Sequence, residues 1–353
     1  MSVLVNPHRG TGLPQVLQEG AVLPSTDAGA VAALLAQCPA AEETPLRDAP
    51  DLAAEAGVAA AWLKDERGRM GLGSFKALGA AYAIAREAAA AGGDMALALR
   101  GRTFVAASAG NHGLSVAAGA RIFGARAVIY LAETVPEGFA ARLRGKGAEV
   151  VRAGAIYEAS MAAAMQAADA EGWTLLSDSS WPGYLELPYR VMEGYLQLAA
   201  EAVAQVPDVP THIFLQAGVG GMAAAVAAYA RAIWGDAPRI VVVEPEAAPA
   251  LMEAVRAGRV VTAPGPVSAM GRLDCKEASL IALAGLARDA DAFLTVSEAA
   301  AQDAVGRLAR LGIATTPSGG AGSAGLFVGE EERAALGLNA ASRVLAVISE
   351  GVE

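Results

Sequence analysis

Short apolar runs rich in Val, Ile, Leu and Phe alternate with longer Ala-rich runs along most of this chain. Short buried runs fold as strands and longer periodic ones as helices, so the alternation predicts an α/β architecture. Strands are expected at Ala59–Lys64, Thr103–Ala107, Ala127–Leu131, Glu149–Ala153, His212–Gln216, Arg239–Val243, Phe293–Val296 and Val344–Ile348. Helices are expected at Lys76–Ala91 (stopped by Gly92-Gly93), from the loop Ser108–Gly113 to about Phe123, and at Pro136–Lys146, Ile156–Glu171, Pro188–Val206 and Met222–Trp234. The block 100–182 reads as a compact unit of small-domain size, and 353 residues suit two domains. Thr262–Glu277 reads as a long loop beside a site, and Gly319–Gly325 as a turn.

Composition narrows the function. Hydrophobic residues make up 54% and charged residues 18%, so a large core is available and disorder is not expected. The net charge is -10 with no Lys/Arg cluster, which argues against nucleic acid and anionic membranes as partners. Cys38 and Cys275 make no disulfide framework, and three His make a His-rich metal site implausible. The start of the chain shows no signal-peptide pattern, and no apolar run is long enough to span a bilayer, so a cytoplasmic location is expected. The mean hydropathy of +0.37 comes from alanine repeated along helices.

Lys76 is a lone cation in the run Gly-Ser-Phe-Lys-Ala-Leu-Gly-Ala at a helix start. Lysine is strongly hydrated and rarely buried without a reason. Imine chemistry is one: a desolvated lysine has a lowered pKa and a free amine to offer a carbonyl. Two Gly-containing loops follow strands and open helices, where N–H groups converge on an anion. One is Ala217-Gly218-Val219-Gly220-Gly221, suited to a phosphate. The other is Ser108-Ala109-Gly110-Asn111-His112-Gly113, whose amides and Ser108 suit a carboxylate. Together they suggest a lysine bound to pyridoxal phosphate (PLP). Each loop also has a plainer reading. The first serves as a β-to-α turn, or as half of a dinucleotide fold with Glu244 as its acidic residue. In the second, Asn111-His112 serves as turn and N-cap.

Other residues carry two readings as well. Asp178, beside Trp181 and Tyr184, is a turn residue or a carboxylate with a raised pKa for acid/base work. Ser349 either meets a pyridine nitrogen or closes a strand. Asp65, Glu66, Arg67 and Arg69 read as a solvated loop with ion pairs. Cys275 reads as a buried small residue, and Met192, Met222 and Met270 as core.

Read together, these segments resemble the fold-type II PLP enzymes, the tryptophan synthase β superfamily. Within it the chain most resembles the diaminopropionate ammonia-lyases. The resemblance runs over about residues 40–351. Its discriminating part is Trp181-Pro182-Gly183-Tyr184 with Pro188 and Met192-Glu193-Gly194-Tyr195. It implies two three-layer α/β domains with the active site in the cleft between them: a large PLP-binding domain, 1–99 and 183–353, and a small mobile one, 100–182. It also implies roles. Lys76 carries the cofactor and acts as base at the substrate Cα. Gly218, Val219, Gly220 and Gly221 hold the phosphate. Asn111 faces the ring oxygen and Ser349 the ring nitrogen. Ser108, Ala109, Gly110 and His112 meet the substrate, and Asp178 handles its β-amine or serves as second acid/base.

The implied reaction is α,β-elimination from a small β-substituted amino acid, 2,3-diaminopropionate giving pyruvate and ammonia, in a homodimer without a metal. The chain departs from the family at Ala109, where members that process both enantiomers carry Asp, and it ends soon after Ser349-Glu350-Gly351 without the family's longer tail. The first departure favours a serine/threonine-type dehydratase as the alternative. A nicotinamide oxidoreductase built on residues 212–244 is the alternative of another class.

Overall fold

The structure, a computed structural model, describes residues 1–38 and 40–352. It contains two sheets. The strands in chain order are β1 Ser2–Val5, β2 Leu46–Asp48, β3 Ala60–Asp65, β4 Thr103–Ala107, β5 Arg126–Leu131, β6 Glu149–Arg152, β7 Thr174–Leu175, β8 His212–Gln216, β9 Arg239–Pro245, β10 Ala292–Val296 and β11 Arg343–Ile348. The larger sheet has seven strands in the order β1-β10-β9-β8-β11-β3-β2, and the smaller has four in the order β6-β5-β4-β7. The smaller sheet is wholly parallel. The larger is parallel at its centre and closed at each edge by an antiparallel strand, β1 or β2.

Both faces of the larger sheet are buried, which is why its strands read as continuous apolar runs. Side chains alternate between faces along a strand. Ile213 and Leu215 of β8 join one core cluster, whereas Phe214 between them joins another. Leu345 and Val347 of β11 likewise part from Val344, Ala346 and Ile348. The first cluster continues into the smaller sheet through Phe104, Ala106 and Ile129.

Several expectations need correction. The run Pro188–Val206 is two helices, Glu186–Gly194 and Leu196–Gln205, separated at Tyr195. Residues 317–324 form a buried helix instead of a turn, started by the Thr316 hydroxyl accepting from the Gly319 N–H. Its glycines are there because the strands pack against it, not to bend it: a Cβ on Gly325, just beyond its end, would meet the Phe214 ring at 2.4 Å.

The charged run after β3 is the largest correction. Asp65, Glu66 and Arg69 are 3%, 0% and 1% exposed, not solvated, whereas Arg67 is half-buried and pairs with Asp65; Lys64, near the end of β3, is buried with them. Lys64 Nζ donates to Glu201 Oε2 at 2.6 Å and to the Thr44 carbonyl at 2.5 Å. Arg69 donates to both Glu66 oxygens at 2.7 Å and to both Glu201 oxygens, at 2.9 and 2.6 Å. Burial pushes the Glu201 carboxyl up, but Arg69 and Lys64 outweigh it and hold the group down at about 2. Glu201→Ala leaves two buried cations without that partner, so stability is expected to fall by about 3–5 kcal/mol. A urea midpoint indistinguishable from wild type would contradict this.

Candidate active site

The segment before Lys76 is fastened to the end of β11. Phe75 N–H donates to the Ser349 carbonyl at 3.1 Å, and Gly351 N–H to the Gly73 carbonyl at 3.0 Å. Helix Lys76–Ala91 starts there, so Lys76 stands at its first turn. From the other side comes Asp178, just past β7. Its loop is tied down by Ser180, whose hydroxyl pairs with Ser279 at 2.7 Å and accepts from Ile281 N–H at 2.9 Å.

Lys76 Nζ and the Asp178 carboxylate form an ion pair, with 22% and 20% of their side chains exposed. This reverses both pKa expectations. Burial drives the Lys76 ammonium down, but the Asp178 charge wins and raises it above the usual lysine range. Burial drives Asp178 up, but Lys76 and then His112 hold it below the usual carboxylate range. The sequence missed these signs because the partners lie 102 positions apart.

The loop 108–113 lies at the end of β4 and opens helix Asn111–Ile122. Ser108 Oγ accepts from the Gly110 and Gly113 N–H groups at 3.2 and 3.1 Å. Asn111 Nδ2 donates to Glu350 Oε2, and the Ala109 carbonyl accepts from Arg272 Nη1 at 2.9 Å. His112 is buried, with Nε2 2.9 Å from the Leu176 carbonyl and its pKa lowered by burial. Ser349 is buried and spends its main-chain groups on Gly319 and Phe75. Glu350 and Arg272 were missed by sequence reasoning. Glu350 looked like part of a strand-end turn, and Arg272 is brought in by the long loop expected at 262–277.

The loop 217–221 follows β8 and opens helix Gly221–Trp234. Gly220 has φ +99°, and a Cβ there would meet Leu251 at 2.9 Å, so glycine is required. Among the described residues, the N–H groups of Gly220 and Gly221 meet no protein acceptor. Open N–H groups at a helix N-terminus suit a phosphate, so the residues present fit PLP. Against this loop packs Cys275, whose thiol burial and then Asp178 push up to about 12. That thiol is a poor nucleophile.

Glu244 does not serve a dinucleotide. It is 0% exposed and accepts from the Leu251 and Met252 N–H groups at 2.7 and 2.9 Å. Burial pushes its carboxyl up to about 8 despite those bonds. A carboxylate enclosed in this way is closed to a ribose.

Residues 38–350 match the family described as pyridoxal-phosphate dependent enzyme. Diaminopropionate ammonia-lyase of Escherichia coli (strain K12) is 34% identical over 256 residues, 66% of this chain and 63% of that protein. The chain thus spans less than two thirds of the length of such curated relatives. The mouse serine dehydratase-like protein is 32% identical over 182 residues, 51% of this chain and 53% of that one. Among solved structures, E. coli diaminopropionate ammonia lyase in complex with an aminoacrylate-PLP azomethine reaction intermediate superposes with a TM-score of 0.86. That match has 29% identity and covers 99% of this chain and 93% of the other. No helix of the described residues is long and apolar enough to cross a membrane. With the family match covering most of its length and a glycine loop that suits the phosphate, the chain belongs to the pyridoxal-phosphate-dependent enzymes.

Proposed function

We propose that this protein eliminates ammonia from 2,3-diaminopropionate, releasing pyruvate and a second ammonia. The observation that carries this reading is the ion pair between Asp178 and Lys76. Bound PLP supplies an electron sink that makes an amino acid's Cα proton removable. Lys76, the loop Gly218-Val219-Gly220-Gly221, Asn111 and Ser349 are the residues proposed to hold it. Ser108, Gly110 and the neighbouring amides take the substrate carboxylate, and Lys76 takes the Cα proton.

The charge state of Asp178 refines its role. Its pairing with Lys76, which holds the carboxyl down while that amine is free and charged, supports a carboxylate role in place of the acid first expected. A β-ammonium carries its own proton and needs only a counter-charge while its C–N bond breaks. Asp178 supplies that charge. The neutral hydroxyl of serine gains less from it, which favours the diamine over the dehydratase reading. Ala109, an uncharged residue in the substrate loop, keeps the dehydratase as the second reading.

The remaining expectations extend this proposal: residues 100–182 as a mobile small domain over a larger one built from 1–99 and 183–353, a homodimer, and a cytoplasmic location. Pyruvate release by the PLP-loaded protein tests the reading. L-2,3-diaminopropionate is expected to exceed L-serine by about tenfold or more in kcat/KM, the worth of one good charge pair. A preference for serine would transfer the assignment to the dehydratases.

A further inference from the structure

Tyr195 is the single residue between helices Glu186–Gly194 and Leu196–Gln205. Its side chain lies beside Lys76. The ring is held from several sides. It meets Phe75 edge-on with centroids 4.9 Å apart. Gly79, one turn along the Lys76 helix, leaves room for it: a Cβ there would come within 2.6 Å of ring atom Cε1 and 2.8 Å of Cζ. Gly221, at the glycine loop, borders the other edge.

So tightly placed a ring fixes where its hydroxyl stands. Tyr195 is 2% exposed, and no partner meets its hydroxyl in full hydrogen-bond geometry, although Lys76 stands close enough to act on it as a donor. A buried hydroxyl left unsatisfied destabilises a fold, and native structures rarely keep one without a use. The charges that act on it are those of Lys76 and Asp178. Lys76 Nζ lies 6.0 Å from the ring centroid.

Lys76 has three N–H donors, and its ion pair with Asp178 uses one direction. Under the function proposed above, Asp178 turns its charge to the substrate's β-ammonium, and Lys76 then lacks its acceptor. We propose that the Tyr195 hydroxyl is the second acceptor of Lys76: a positioning residue that holds Nζ while the Cα proton is transferred. In that step the Cα–H bond breaks and its electron pair stays with carbon. The proton joins the lone pair of Lys76 Nζ, and Tyr195 keeps its own proton throughout. Donating one N–H to Tyr195 leaves the amine lone pair free to face the substrate.

The inference rests on Lys76 acting as base, so the test separates the two claims. L-Alanine has no leaving group, and loss of its Cα proton signal in heavy water reports proton transfer alone. The PLP-loaded wild type is expected to exchange this proton. Tyr195→Phe keeps the ring and deletes one oxygen. It is expected to slow exchange at saturating alanine by about tenfold or more, with half-saturation within about twofold of wild type, since Tyr195 orients the base and not the ligand. Its melting temperature should equal or exceed that of wild type, because an unsatisfied buried hydroxyl is gone. Exchange at the wild-type rate would overturn the inference while leaving the base assignment intact. Slower exchange with a lowered melting temperature would overturn it too, as structural damage. Absence of exchange in the wild type overturns the base assignment and this inference with it.

Discussion

Lys76→Ala releases no measurable pyruvate from any amino acid, a loss of about 10⁴-fold or more. Two losses combine at that position. The amine proposed to link the cofactor disappears, and so does the base proposed for the Cα proton. The variant should also lack the visible absorbance of a lysine-linked cofactor, even with PLP in excess. The fold should persist, since the alanine keeps the helix start and the main-chain bonds of residues 73–75 to 349–351 do not involve the lysine side chain. Removing the ammonium leaves Asp178 buried without its counter-charge, so its carboxyl moves up from its depressed position. A folded Lys76→Ala protein that still formed pyruvate at more than a hundredth of the wild-type rate would remove the central residue from the account.

Asp178→Asn is the second large effect. The side chain keeps its shape and loses its charge. Elimination from diaminopropionate should fall by about 10²-fold, the range for a desolvated charge pair. Elimination from serine should fall less, because its β-hydroxyl carries no charge to be matched. Cofactor absorbance should remain. The Lys76 amine, no longer beside a carboxylate, should lose its proton at a lower pH than in wild type, because Asp178 is what raises it. The acid limb of the pH–rate profile then moves to lower pH. Equal losses on the two substrates would show that Asp178 does not read the leaving group.

Much of the scaffold was legible. Helix Lys76–Ala91 and strands Thr103–Ala107 and His212–Gln216 fall where the pattern placed them. Central parallel strands carry short continuous apolar runs and Gly92 marks a helix end, both local signals. The edge strands β1 and β2 went unseen because they are short and partly exposed. Charge states were not legible at all. Whether Lys64 and Arg69 are solvated depends on Glu201, 137 and 132 positions away. Tyr195 stood out only within the motif that carries the family resemblance, and its place beside Lys76 was hidden for a related reason. Periodicity ran through the helix break, so nothing local marked that its ring packs beside Lys76.

The route of the chain between the two sheets bears on how the protein is made. β4 to β7 are contiguous in sequence, so the smaller sheet has all its partners once residue 175 has been synthesised. β3 is different. Its parallel neighbour is β11, residues 343–348, and until that strand emerges β3 pairs only with the short β2. The main-chain bonds that seat Lys76 reach to residues 349 and 351. Until residues 343–348 emerge, a nascent chain therefore has every strand of the smaller sheet and an open edge on the larger one, a state exposed to mispairing. The segment that seats Lys76, the residue proposed to carry the cofactor, is fastened only after residues 349–351 emerge, so chains cut before them are expected to be colourless and inactive.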